Sequence, residues 1–201
     1  MIKYELIPEQ LIRENTCSDK NFFKPEMIDE KIVLKTHQLQ YFDRLKKQKL
    51  SSKEIREIGF PLSKDLYIRE MTISKGTIDC VNFSINNGIS MNIAGGTHHA
   101  FYDRGEAFCM LNDQAIAANY ILDNGLAKKI LIIDLDVHQG NGTAEIFQQN
   151  NNVFTVSFHG KNNYPFRKET SDFDYGFSDG VNDYEYLKVI KYEIPRLIEI
   201  F

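Results

Sequence analysis

The stretch KILIIDLD (129–136) constrains the fold of this chain more than any other. Its run Ile130-Leu131-Ile132-Ile133 has no polar side, and a strand apolar on both sides belongs in a sheet covered on both faces. A second strand, NVFTVSFH (152–159), follows GTAEIFQQN (142–150), which reads as a short helix. Ahead of them, LNDQAIAANYILDNG (111–125) reads as a helix, with Leu111, Ala115, Ala118 and Leu122 on one face and Gly125 at its end. GISMNIAGG (88–96) reads as a further short strand closed by two glycines. Strand, helix, strand, helix, strand predicts an α/β fold, a mainly parallel sheet with helices on both faces. Ligands of such sheets bind outside the carboxyl ends of the strands. The polar residues fall there: Gly95 to His99, Asp134 to Asn141 and Ser157 to Tyr164.

The flanking segments read as helical cover. In 36–49, Leu39, Phe42 and Leu45 would face inward, with His37 on the solvent side. Tyr67, Met71, Ser74, Ile78, Val81 and Ile85 form one helical stripe, capped by Ser63 and ended by Asn86-Asn87-Gly88. From about Asp183 another helix would carry Leu187, Ile190, Ile194 and Leu197 on one side, with Pro195 kinking or restarting it. The acidic SDFDYGFSDG (171–180) reads as a solvated loop. No repeat or Pro/Gly/Ser linker divides the chain, so 1–201 is expected to be one domain. A net charge of -4 gives no basic footprint for nucleic acid or an anionic membrane surface. No apolar run approaches the roughly 20 residues that span a bilayer, and the start, MIKYELIPEQ, lacks signal-peptide zones. Three scattered cysteines, Cys17, Cys80 and Cys109, fit a reduced cytoplasmic protein.

Asp134, Asp136 and His138 stand at alternate positions, so on an extended strand they would share a side at the edge of a dry interior. Two carboxylates there need a partner, because desolvation and mutual repulsion oppose their charges. A divalent cation is one solution, and carboxylate oxygen with imidazole nitrogen suits Zn²⁺ or another first-row metal. The other is structural: one Asp caps the next helix and the other accepts backbone N–H groups. The second cluster, GGTHHAFYDRGEAFC (95–109), sets two histidines behind a Gly-Gly turn at the same end of the sheet. An imidazole near neutral pKa can take a proton from water and return it to a leaving group, and Asp134 could orient one of the pair. For His159, structural and site roles are balanced. Cys109 reads as a small buried residue, not a nucleophile.

GGTHHAFYDRGEAFCMLND, IIDLDVHQGNGTAEIF and VFTVSFHGKNNYP, in this order, closely resemble the histone deacetylase superfamily, and HQGNG and NNYP its class IV-type and bacterial members. The resemblance implies a three-layer arginase/deacetylase-type α/β fold and hydrolysis of an acyl-lysine-type amide by zinc-activated water. It implies zinc ligands at Asp136 and His138, with a third ligand and a carbonyl-polarising Tyr expected beyond Phe201. His98 and His99 would be the tandem active-site histidines, His99 the general base and acid, with Asp134 paired to His98. Asn141 stands where many members carry the Asp partner of the second histidine. A monovalent cation, K⁺, would lie among Asp134, Asp136, His138, Ser157 and Phe158. Phe108 and Tyr164, with the Ala107 backbone, would wall the acyl-lysine channel. The expected substrate is an acylated amine, an acyl-lysine peptide or an acylpolyamine. The alternative expectation is a non-catalytic or partner-completed fragment, an interaction module.

Overall fold

The structure, a computed structural model, describes residues 2–201. In chain order the elements are α1 (Lys3–Arg13), a 3₁₀ turn (Asp19–Asn21), α2 (Glu30–Val33), α3 (Leu39–Lys46), α4 (Ser52–Ile58), α5 (Lys64–Asn87), α6 (Asp113–Asp123), β1 (Ile130–Asp134), α7 (Asn141–Phe147), β2 (Val153–Gly160), β3 (Phe173–Phe177) and α8 (Asp183–Ile200). The strands form one parallel sheet in the order β1-β2-β3, with Asp134 beside Ser157 and Ser157 beside Asp174.

Alternation along the strands sorts their side chains into two layers. Ile132 and Val153 pack with Ala115, Ala118 and Phe147 of α6 and α7. Val156 and Phe158 pack on the other face with Phe177 and Leu197, supported by Ile190 and Ile194 of α8. A third, wholly helical core joins Val33, Phe42, Leu45, Ile58, Met71 and Ile78 to Met110, Leu111 and Ile116. Asp134 and Ser157 lie at the carboxyl ends of β1 and β2, on the α6/α7 side. Helix α5 begins at Ser63, whose side chain accepts from the Leu66 N–H, and stops at Gly88 with φ +85°. Among the described residues, no helix is long and apolar enough to cross a membrane.

Five expectations are corrected. The acidic segment 171–180 contains β3: Phe173, Tyr175 and Phe177 alternate with Asp174 and Gly176, and the aromatic set packs on the sheet while Asp172 accepts from the Thr155 N–H at 2.8 Å. GISMNIAGG forms no strand; Ile89 and Met91 are 76% and 82% exposed, and the Asn92 amide anchors the segment by donating to the Ile73 carbonyl at 2.9 Å. His37 is buried, because α3 starts only at Leu39 and the turn before it points the imidazole inward; Leu39 is exposed instead. Strand β1 ends at Asp134, so Asp136 and His138 lie on the loop after it. Helix α8 does not restart at Pro195 but continues through it, anchored beyond it by buried Leu197, and Leu187 is exposed.

Candidate active site

The loops after β1 and β2 converge with residues 95–99 on one crevice. His98, His99, Asp136, His138, Ala107, Phe108 and Tyr164 line a cavity of about 700 Å³. The two histidines are buried, their ring centroids 4.1 Å apart. Each is oriented by a different partner through Nδ1. His98 Nδ1 lies 2.5 Å from Asp134 Oδ2, and His99 Nδ1 lies 2.6 Å from Asn141 Oδ1. An amide oxygen only accepts, so the second bond fixes His99 with its proton on Nδ1 and leaves Nε2 free as a base.

The partners divide the two imidazoles electrostatically. Burial disfavours charge on His98, but the bond to Asp134 and its negative charge outweigh this and raise the pKa above the usual histidine value. His99 is pushed down to about 4, first by burial and then by the positive charge of His98, with Asn141 opposing only weakly. At neutral pH the crevice therefore holds one imidazole paired with a carboxylate and one neutral imidazole beside it. Such divergence between adjacent titratable groups marks sites of acid–base chemistry.

The glycines fit the crowding. A Cβ on Gly140 would collide with the Asp134 carboxylate, and one on Gly142 with the carbonyl of Ala100. Asp134 Oδ1 also accepts from the Asp136 N–H at 3.0 Å, and Asp136 Oδ1 from the His138 N–H at 2.7 Å. These Asx turns, not strand alternation, bring Asp136 and His138 to the crevice. His138 Nδ1 lies 2.9 Å from Asp136 Oδ1. Burial opposes ionisation of Asp136, yet the His138 N–H and the charge of His98 hold its carboxyl below the usual range. This half-exposed carboxylate and imidazole match zinc in donor type. They are two donors, and among the described residues no group of three or more His, Cys, Asp and Glu side chains is placed to hold a metal ion. A catalytic zinc site takes three protein ligands.

Ser157 lies beside Asp134 in register, with its Oγ 3.0 Å from His159 Nδ1. The Phe158 side chain belongs to the apolar α8 layer, so only its backbone could serve a cation there. His159 is buried, and burial lowers its pKa. Ala107 and Phe108 have φ of +44° and +68°, and their N–H groups donate to the carbonyls of Glu57 and Ile58. The Phe108 ring meets Phe60 edge-on at 5.0 Å, and Tyr164 meets His99 at 5.0 Å and 82°. Cys109 is buried, and burial pushes its thiol up to about 12, which excludes a thiolate nucleophile at neutral pH.

Sequence reasoning missed Glu106, whose Oε2 accepts from the Tyr164 hydroxyl at 3.0 Å while Arg104 Nε donates to its Oε1 at 2.9 Å. It also missed Gln139, whose buried amide ties the loop after β1 to Asp174 of β3. The Arg-Gly-Glu spacing after the histidines was a usable signal for the first; nothing local marks the second.

The layout is that of an α/β protein with an imidazole-rich crevice at the carboxyl ends of parallel strands. Comparison with known proteins gives it a family: the histone deacetylase domain matches residues 1–201, and the chain belongs to that family. It is 38% identical over 198 residues to an uncharacterised protein of Picosynechococcus sp., covering 98% of this chain and 66% of that one. It is 25% identical to the acetoin utilization protein AcuC of Staphylococcus aureus, covering 100% of this chain and 57% of that one. The solved structure of an HDAC homologue from Aquifex aeolicus superposes with a TM-score of 0.80 at 24% identity, over 93% of this chain and 56% of that one, so the three-layer α/β fold is shared. The chain thus spans between about half and two thirds of the length of these relatives.

Proposed function

We propose that the chain carries the acid–base and metal-binding half of a deacylating amide hydrolase acting on an acylated amine, an acyl-lysine peptide or an acylpolyamine. The observation that carries this reading is the pair of adjacent buried imidazoles, one bonded to a carboxylate and the other to a neutral amide, beside the half-exposed carboxylate–imidazole pair Asp136–His138. Membership of the histone deacetylase family supports it. In this reading Asp136 and His138 hold zinc, and the third donor and a carbonyl-polarising Tyr come from outside residues 1–201. Zinc, when bound, supplies Lewis acidity that makes water a stronger nucleophile and the amide carbonyl a stronger electrophile.

The chain's own residues do the rest. His99, neutral and with Nε2 free, accepts the proton of the attacking water and returns it to the departing amine. His98, whose pKa Asp134 raises, favours its protonated form and in that form supplies positive charge where negative charge develops on the former carbonyl oxygen. Phe108 and Tyr164 flank the entering alkyl chain and exclude water. A monovalent cation, K⁺, at the carboxyl ends of β1 and β2, near Asp134 and Ser157, balances charge. We assign residues 1–201 to one partial deacetylase domain and place the protein in the cytoplasm, where its unbridged cysteines stay reduced.

The test uses the complete natural protein, assayed for zinc content and for hydrolysis of an acetyl-lysine peptide. Asp136→Asn is expected to lower bound zinc and to abolish hydrolysis. Unchanged activity in that variant refutes the assigned role. The two-donor count favours a second reading, completion of the site by a partner chain, which predicts a copurifying protein and no hydrolysis by the isolated chain.

A further inference from the structure

His98 and His99 lie in an irregular segment, outside every helix and strand. No ladder fixes their backbone, and two glycines precede them. Their side-chain bonds to Asp134 and Asn141 set ring rotation but not where the backbone sits. Something else must hold it, since a misplacement of about 1 Å costs on the order of 10²-fold in rate.

The holding groups come from the start of α6 and the turn before α3. Asp113, 1% exposed, accepts through Oδ1 from the N–H groups of Gly96 at 3.0 Å and Thr97 at 2.8 Å. The Thr97 hydroxyl lies 2.6 Å from the same oxygen, and the Thr77 hydroxyl donates to Oδ2 at 2.6 Å. On the other flank the Asn112 amide donates to the Ala100 carbonyl at 3.1 Å and to Thr143 Oγ1 at 3.0 Å. His37 completes this side: Nδ1–H donates to the Phe101 carbonyl at 2.9 Å, and Nε2 accepts from the Asn112 N–H at 3.0 Å. The Thr143 N–H donates to the His98 carbonyl at 3.2 Å. The helix cap of α6 is already supplied by Asn112, which accepts from the Ala115 N–H at 2.9 Å. The Asp113 carboxylate is therefore not spent on its own helix; it is aimed at the segment that carries the histidines.

We propose that Asp113 is a positioning residue of the site: with Asn112 and His37 it clamps the backbone on both sides of His98-His99 and sets where the two imidazoles sit. The inference rests on the reading of those histidines as the working pair. Asp113→Ala frees the Gly96–Thr97 side while leaving the α6 cap intact. Asp113→Asn keeps an oxygen acceptor and serves as the rescue variant.

The experiment is carried out on the full protein with two readouts. Proton NMR follows the far-downfield His98 Nδ1 proton in its bond to Asp134, and steady-state kinetics follows an acetyl-lysine peptide. In Asp113→Ala, folded by circular dichroism, the His98 resonance is expected to shift or vanish and kcat to fall about 10²-fold at unchanged KM. Asp113→Asn is expected to restore most of both. A folded Asp113→Ala protein with an unshifted His98 resonance overturns the proposal. Should Asp113→Ala fail to fold, Thr77→Val releases the Oδ2 contact and the bond that the Asn92 amide donates to the Thr77 hydroxyl at 2.8 Å, while the Asn92 bond to the Ile73 carbonyl remains; a smaller shift of the same resonance supports the clamp and an unchanged one overturns it. The NMR readout decides the clamp even if wild-type protein hydrolyses no acyl-lysine, so failure of the proposed reaction stays separate.

Discussion

Replacing Asn141 by Asp puts a carboxylate against His99 Nδ1, where a neutral amide oxygen now sits at 2.6 Å. Charge centres about 4 Å apart attract by about 4 kcal/mol at an effective dielectric near 20, close to 3 pKa units as an upper bound. Burying the new carboxylate takes back part of this, and a measured shift of about 1–3 units is expected. His99 starts from about 4, so the variant should titrate near 5–7, by the same range of shifts. The assay is a pH titration of the His99 Cε1 proton by NMR in metal-free protein. The linkage follows in sign. In the wild type the unfolded state binds more protons than the native state between about pH 4 and 6.5, so stability rises with pH across that window. In the variant that window narrows, and the part of the acid lability that His99 contributes shrinks. A rise of less than about 0.5 unit, under 1 kcal/mol, refutes the argument that the neutral partner keeps His99 a weak base.

His37 is also held down to about 4 by burial, so it adds stability that is complete above its unfolded pKa of 6.5 and lost as pH falls toward 4. This amounts to about 3 kcal/mol, and His37→Gln should flatten the melting temperature between pH 6.5 and 4. Glu70 behaves oppositely: burial raises its pKa to about 7, so the native state binds the extra proton and stability falls as pH rises from 4.5 through 7. Glu70→Gln should therefore melt higher than wild type at pH 8, with the advantage shrinking toward pH 5. Phe177→Ala removes a buried ring 4.7 Å from Tyr175 and 5.0 Å from Tyr186, and chemical denaturation should show a loss of about 3–4 kcal/mol.

The sheet was legible where burial is two-sided. Ile130 to Ile133 reads as a strand because nothing polar interrupts it, and Val153 to Phe158 because only the small hydroxyl residues Thr155 and Ser157 alternate with its apolar ones; the Asn-Gly ending of α5 reads as a helix stop for conformational reasons alone. Strand β3 was hidden because its ladder position on β2 makes Asp172 and Asp174 structural acceptors, while composition counts them as solvated acids. The reverse happened at 88–96, where apolar residues suggest a strand but Asn92 anchors the segment and Ile89 and Met91 face out. The site was legible in its residue types and order. Its electrostatics were not: Asn141 and Asp134 differ by one charge, but the contrast between the two imidazoles depends on burial and on their 4.1 Å approach. His37 failed for a related reason. Helical periodicity assigned it to a solvent face, whereas its two hydrogen bonds lie 64 and 75 residues away in sequence.

Those two bonds also set a clock. A ribosome adds about 5–20 residues per second, so residue 37 emerges roughly 4–15 s before Asn112 can donate to it. During that interval the turn before α3 has no partner for an imidazole that ends up in a dry interior. The frame beneath His98 and His99 is thus assembled from segments made some 75 residues apart. Asp134 and Asn141 arrive later still to orient the rings. Synthesis order makes the His37, Asn112 and Asp113 contacts available before the side chains that orient the rings, and the Thr143 contacts last.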